Sequence, residues 1–465
     1  MSGSQTYYRS AILPLLLGLL IFCNCGLQKT ESEGVVAQVN HRKIAPDELV
    51  FAYELAPRTV TQRGAEEAVR EVLDYLIDRI LLAEEAQRRG LDRDSSLQRV
   101  IDYYTDAEIV RELYRRHIRD SIRIKERELR REYKRSGTTL FVKNYVSTDL
   151  AIAREIRKRS DNPQHFPINA MAKTIQHPEH GSVDMIKWNV LQQELEDFLL
   201  DLPVHERSEP FYDGDRYHVF EVVGKEREAF ATENDFAARR ASLETVIRKR
   251  REHAAAFRFV QRVMQDQDLL IRGPVITKIC DALWAMYGET EEYLPQFIPM
   301  REVREYRRSL GELREAVLAQ YRDGSMTAED FIFYYTVHPL QIACSSEAAL
   351  HKSLQDAVAI YVRDRVFADL GKEEGLAESH SVQKERQQWA EKLSANRLKT
   401  ELRRELKASQ MDSLQYDSAY QNDLRELLAV LRENANIRIH EERLANLKLS
   451  DRGVNRKIDF VAAYR

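Results

Sequence analysis

The side chains able to do chemistry are sparse in this 465-residue chain, and their spacing does not gather them. His177, His180, His205 and His218 share one stretch, but they are not at metal-ligand spacing. The four cysteines, Cys23, Cys25, Cys280 and Cys344, form neither a Cys-x-x-Cys pair nor a Cys/His cluster, so no metal is expected. No Ser/His/Asp arrangement, phosphate loop or dinucleotide loop stands out, and no cofactor is expected. Cys280 and Cys344 have two readings, a disulfide in an oxidising compartment or a pair of buried thiols. The aromatic group Phe331, Phe333, Tyr334 and Tyr335, and the pair Tyr103-Tyr104, also have two. They are core, or they are a patch that holds apolar clients.

The elements that must position these residues begin with a leader. Residues 1–10 are polar with one cation, Arg9, and residues 11–22 are unbroken apolar chain ending in Phe22. That length fits a signal-peptide core and falls short of a bilayer span. Cys25 follows it, as in a bacterial lipoprotein cleavage site, although Asn24 stands where a small residue is usual. Cys25 is the expected lipidated residue, with residues 26–34 as a tether. The expected location is outside the cytoplasm, on the periplasmic side, held to a membrane surface by acyl chains. Basic and acidic residues number 71 and 75, for a net charge of -4. The signs are interleaved, so no basic face is available and no nucleic acid is expected.

Charged residues make up 31% of the chain, while glycine (17) and proline (12) are scarce. This composition, with its long Arg/Glu/Leu/Ala runs, predicts a mainly helical protein. A short strand over 35–39 is followed by helices over 48–55, 65–89, 92–118 and 124–134. Residues 139–228 change character: strand 140–146, helix 149–159, a loop with Pro163, Pro167, Pro178 and Gly181, helix 192–202 and strand 217–223. That order predicts a small α+β domain. A long helix over 232–263 follows, with Thr232 and Asp235 as its capping pair. A short strand over 269–271 and helices over 276–287, 301–316, 328–336, 346–374, 378–407 and 417–433 complete the reading.

The two ends of the mature chain look alike. Ala37-Gln38 matches Ala319-Gln320 at an offset of 282 residues (319 − 37), and Phe51 and Tyr53 meet Phe333 and Tyr335 at that offset. Asp78-Arg79 matches Asp364-Arg365 at 286 (364 − 78), and Gly90-Leu91 matches Gly375-Leu376 at 285 (375 − 90). The expected organisation is a leader (1–25), a tether (26–34), a helical domain (35–138), the α+β domain (139–228), a returning helix (229–272), a helical linker region (273–318) and a second helical copy (319–465).

Two stretches carry a resemblance. Val35-Val-Ala-Gln-Val-Asn-His-Arg-Lys-Ile-Ala-Pro-Asp-Glu-Leu49 and the Leu-Ile-Asp-Arg-Ile run at 76–91 resemble the helical half of SurA-like and PrsA-like export chaperones. Residues 194–210 and 216–228 resemble the closing helix, turn and strand of a parvulin-type peptidyl-prolyl isomerase. His205 stands where that turn has glycine, and Arg216 where the strand has glycine. The resemblance implies a mainly α protein with a small α+β parvulin-like domain, flanked by SurA-like helical segments and internally duplicated.

It also implies a site. His218 falls at the family's second histidine, Lys143 at the first, and His177 near its Asp/Cys position. Leu191, Leu195 and Trp188 fall along the proline pocket. Isomerisation needs groups that favour the twisted amide over the planar one, and a lysine cannot replace an imidazole acceptor. A core role for His218 stays open. The implied function is an exported chaperone-like protein binding unfolded or extended polypeptides, with a degenerate isomerase domain. The alternatives are an active isomerase and a structural lipoprotein subunit of an envelope complex.

Overall fold

The computed structural model describes residues 34–57, 60, 64–159, 163–168, 173–177, 181–228, 232–287, 307–338, 340, 342–343, 346–407 and 413–449. The leader with Cys23 and Cys25, most of the tether, His180 and Cys344 lie outside the described residues. Cys280 is fully buried.

The chain opens with β1 (Ala37–Val39), β2 (Arg42–Ile44), α1 (Pro46–Leu55), α2 (Ala65–Arg88), α3 (Ser95–His117) and α4 (Glu126–Ser136). Next come β3 (Thr138–Ser147), α5 (Leu150–Lys158), β4 (Lys173–His177), β5 (Gly181–Ile186), α6 (Gln193–Asp201), β6 (Phe211–Tyr212), β7 (Tyr217–Arg227) and α7 (Glu233–Met264). The remainder holds β8 (Leu270–Ile271), α8 (Gly273–Tyr287), β9 (Val317–Tyr321), β10 (Gly324–Thr327), α9 (Ala328–Val337), α10 (Glu347–Glu373), α11 (His380–Lys407), α12 (Ser413–Asn434), β11 (Ile437–Ile439) and α13 (Glu441–Ala445). The fold is mainly α with small antiparallel sheets. Two compact units form, one from residues 116–263 and one from the segments before and after it.

In the 116–263 unit the sheet order is β4-β5-β3-β7-β6, antiparallel throughout. Strand alternation divides its side chains. Leu140, Val142, Phe220 and Val222 face α6 and pack with Leu199 and Ile186. Tyr145 and Val219 face the other way, onto Ala153 and Ile156 of α5. Asp149 starts α5 by accepting the N–H groups of Ala151 and Ile152. Thr232 Oγ1 accepts the Asp235 N–H at 3.1 Å, as the capping pair requires. Helices α4 and α7 join the sheet through buried charge. Arg250 of α7 donates to Glu132 of α4 at 3.0 Å and to Glu196 of α6 at 3.0 Å. Removing that guanidinium would take the closest cation from two buried carboxylates, at about 3–5 kcal/mol.

The other unit pairs an early strand with a late one. β1 pairs with β2 on one side and with β11 on the other, Ala37 opposite Ile439. One order of elements occurs twice: β1-β2-α1-α2-α3 and β9-β10-α9-α10-α11. Gly90 and Gly375 end α2 and α10 at φ +72° and +75°, a left-handed stop that glycine adopts without strain.

The two halves exchange partners. α11 packs along α2, with Leu398 and Leu402 against Leu82 and Ala86. Lys384 of α11 reaches Asp47 in the first turn of α1 at 2.6 Å, and Arg99 of α3 reaches Asp330 in the first turn of α9 at 2.6 Å. Lys372 of α10 meets Asp106 of α3 at 2.7 Å. Tyr104 of α3 and Trp389 of α11 stack with centroids 3.6 Å apart and planes 2° off parallel. They stand 285 residues apart (389 − 104), the offset of the two glycine stops.

Several elements differ from the sequence reading, among them the short strands β2, β6 and β10 and the helix α13. The proline-bearing loop after α5 contains the β4–β5 hairpin, because Lys173–His177 pairs residue for residue with Gly181–Met185. The helix expected over 301–316 is not continuous. Gly311, at φ +49°, opens a 3-10 turn over Gly311–Glu315, and β9 begins at Val317. β11 went unread because three residues are too few for a periodic signal.

Two predictions follow from this packing. Gly371 of α10 lies so close to α3 that a Cβ there would come within 2.3 Å of Ile109 Cγ2. Gly371→Val is expected to cost about 1–3 kcal/mol, read as a lower urea midpoint and partly restored by adding Ile109→Ala. An unchanged midpoint would show that α3 does not press on α10. The second concerns Glu85, whose carboxyl is held down to about 2, first by the Arg88 hydrogen bond and then by Arg89. A depressed carboxyl adds stability above its ordinary value near 4.5 and loses it as pH falls toward 2. Glu85→Gln should flatten stability against pH across that window, and an equal slope in both proteins would contradict it.

Candidate functional site

His218 lies on β7 on the sheet face that α6 covers. Its Nδ1 is 3.1 Å from Asn144 Oδ1 and its Nε2 is 2.8 Å from Asp213 Oδ2. The ring stacks near Phe220, with centroids 5.8 Å apart. Asp213 sits in the turn between β6 and β7. Backbone N–H groups of Arg216 and Asp215, with His218, hold its carboxyl down to about 2. Both oxygens facing His218 are acceptors, so the ring fills both bonds only when it carries two N–H groups. With one N–H, turning the Asn144 amide end for end lets its nitrogen donate to Nδ1. As placed, that buried nitrogen has no partner.

Asn144 is fully buried on β3. β3 pairs with β5 only from Leu140 to Val142. Beyond that point the loop 163–168 takes over its edge. The Asn144 N–H donates to His165 Nδ1 at 3.1 Å, and the Phe166 N–H donates to the Asn144 carbonyl at 2.8 Å. The loop is held in turn by Asp184 of β5, which accepts the Ile168 N–H at 2.6 Å and the Thr174 hydroxyl. His165 Nε2 stands 3.6 Å from the same carboxylate.

The residues expected at the site fall in several places. Leu191 is buried and Leu195 half-buried in the core beside Phe220. Lys143 stands opposite Glu221 on the strand ladder, so alternation turns it to the α5 face, away from His218. There Glu221 accepts from Tyr145 at 2.8 Å and from Arg207 at 3.2 Å. His177 ends β4 opposite Gly181. Three strand steps separate β4 from β7, roughly 14 Å. Trp188 packs with Leu129 and Phe236, and its Nε1 donates to Glu132 at 2.6 Å. Lys143, His177 and Trp188 thus do not gather around His218. His205 adopts φ +68°, a left-handed backbone that glycine favours.

The residues that do gather, Asn144, His165, Asp184 and Asp213, were not singled out from the sequence. One signal for Asn144 was available. If Leu140 and Val142 face the core, Asn144 shares their face and Lys143 cannot. Beside His218 the surface is apolar: Phe211 packs against Phe198 and Phe220 at 6.4 and 6.3 Å. Phe211, Tyr212, Val204 and Phe166 are each at least 39% exposed. In the other unit, Asp281, Glu347 and His351 bring ligand atoms within 4.8 Å of one another. Both carboxylates there are exposed, and such groups commonly occur without an ion. No helix among the described residues is long and apolar enough to cross a membrane.

No family model matches the sequence, and no curated protein does. Solved structures do match. Those of SurA-like chaperones from Campylobacter jejuni share 12% identity at a TM-score of 0.23, covering 51% of this chain and 100% of that one. The peptidyl-prolyl isomerase PrsA of Bacillus anthracis shares 13% at 0.20, covering 40% and 95%. PrsA of Bacillus cereus shares 13% at 0.20, covering 46% and 86%. Solved structures similar to this chain thus include SurA-like chaperones and PrsA peptidyl-prolyl isomerases.

Proposed function

We propose that this chain is an exported, chaperone-like protein that holds extended polypeptide segments, and that its sheet domain is a peptide-binding relic of a prolyl isomerase. The observation that carries the reading is the pairing at the site. His218 faces a carboxamide where the family resemblance implies a second imidazole, and both its nitrogens are engaged by protein. Exposed Phe211, Tyr212 and Val204 lie along the same edge of the sheet. Holding a chain needs burial of apolar area and no fixed geometry. Isomerisation needs groups free to follow the amide as it twists. The leader and Cys25 support export and a lipid anchor on the periplasmic side. The clients on this reading are unfolded or extended polypeptides.

The mature protein should suppress light scattering by an unfolded secreted or outer-membrane client when mixed at stoichiometric ratio. Scattering equal to the client alone would count against the holding role. A second reading, a working isomerase, is favoured by the retention of His218 beside Leu191 and Leu195. In a proline-peptide assay the full chain should leave the uncatalysed rate, tens to hundreds of seconds, almost unchanged. Acceleration that disappears in His218→Ala would replace the binding reading with the catalytic one.

A further inference from the structure

We propose that this peptide site selects cationic segments, extended stretches bearing lysine or arginine next to apolar residues. This rests on the peptide-binding reading above and names its substrate class.

The wall of the site is far more acidic than the chain. Overall the two signs nearly balance, 71 basic against 75 acidic residues. Between Gln193 and Asp215 there are eight carboxylates and one arginine. That arginine, Arg207, is spent on Glu221 and on the carbonyls of Ile156 and Arg159. Five of the acids are answered: Glu196 by Arg250, Asp197 by Arg135, Glu209 by Arg157, Asp215 by Arg216 and Asp213 by His218. Glu194 and Glu206 are exposed and have no cation at ion-pair distance among the described residues. Asp201 is exposed too, and the lysine nearest to balancing it, Lys225, is bonded to the carbonyls of Leu200 and Leu202.

Two of these three share a helix side with Phe198, and the third follows Val204 in the chain. Glu194 and Asp201 lie four before and three after Phe198, on one side of α6. Phe198 is the residue that packs on exposed Phe211. Glu206 follows exposed Val204 in the turn that runs beside β7. The floor adds a polar demand of its own. Asn144 is fully buried, and its amide nitrogen has no hydrogen-bond partner. An extended segment with apolar side chains on the aromatic patch would place flanking lysines against Glu194, Asp201 and Glu206. A flanking glutamate would meet repulsion there.

The test uses the full mature chain and three versions of one labelled, proline-containing apolar peptide, flanked by lysines, serines or glutamates. Fluorescence anisotropy at low salt should show the lysine version binding at least about tenfold tighter than the glutamate version. The gap should close near about 1 M salt. In the exposed triple variant Glu194→Gln/Asp201→Asn/Glu206→Gln, the lysine preference should collapse while the serine version binds as before. Equal binding of all three to the parent protein would overturn the charge selection and leave peptide binding standing. Binding of none would overturn both.

Discussion

The site depends on one buried carboxylate. Asp184 is fully buried, and a charge in that position must be met by hydrogen bonds or it costs several kcal/mol. The partners it finds are the backbone of Ile168 and the hydroxyl of Thr174. Meeting that demand draws the 163–168 loop against β3 where β5 has stopped pairing. His165 then accepts from Asn144, and Phe166 donates back to it. The Asn144 backbone is thereby satisfied on its β5 side. Its side chain faces His218. The geometry of the candidate site is thus a consequence of where β5 ends and of what its last paired carboxylate requires.

A comparable constraint organises the other unit. Each half places its third helix against the other half: α11 against α1 and α2, α3 against α9 and α10. Tyr104 and Trp389, at matching positions, stack on each other. A residue that meets its own counterpart is the mark of a local two-fold axis, as in an isologous dimer interface. We read the unit as two copies of one supersecondary block joined in a single chain. β11 pairs back onto β1, so the end of the second half completes the sheet of the first.

Much of this was legible in sequence because it rests on local rules. The helices end at glycines that the chain can turn left-handed, and Gly90 and Gly375 were readable as stops at one offset. The long helices show 3.6-residue periodicity, and Thr232 and Asp235 announce their cap. What escaped depends on distant pairing. β4 was hidden among prolines because its strand character comes from facing β5. β11 is three residues long and exists through β1. Lys143 and Asn144 are neighbours in sequence and opposite in the sheet, so a one-residue difference in alignment changed which of them meets His218. Trp188 was expected along the pocket by the resemblance, whereas its Nε1 bonds Glu132, which Arg250 also holds.

The state of His218 bears on why binding outlasts chemistry in this reading. A prolyl isomerase lowers a barrier of about 20 kcal/mol without making or breaking a covalent bond, so its groups must respond to the amide as it rotates. An imidazole opposite a second imidazole can shift a proton between them. An imidazole opposite a carboxamide cannot, because the amide neither gains nor loses a proton in the working range. Asp213 fixes the remaining nitrogen, and the backbone N–H groups of Arg216 and Asp215 hold that carboxylate in its charged form. The aromatic edge needs none of this freedom. Apolar burial asks only for area, and Phe211, Tyr212 and Val204 provide it whatever His218 does. On the proposed reading, the residues around Asn144 need not move a proton for the apolar edge to hold a chain.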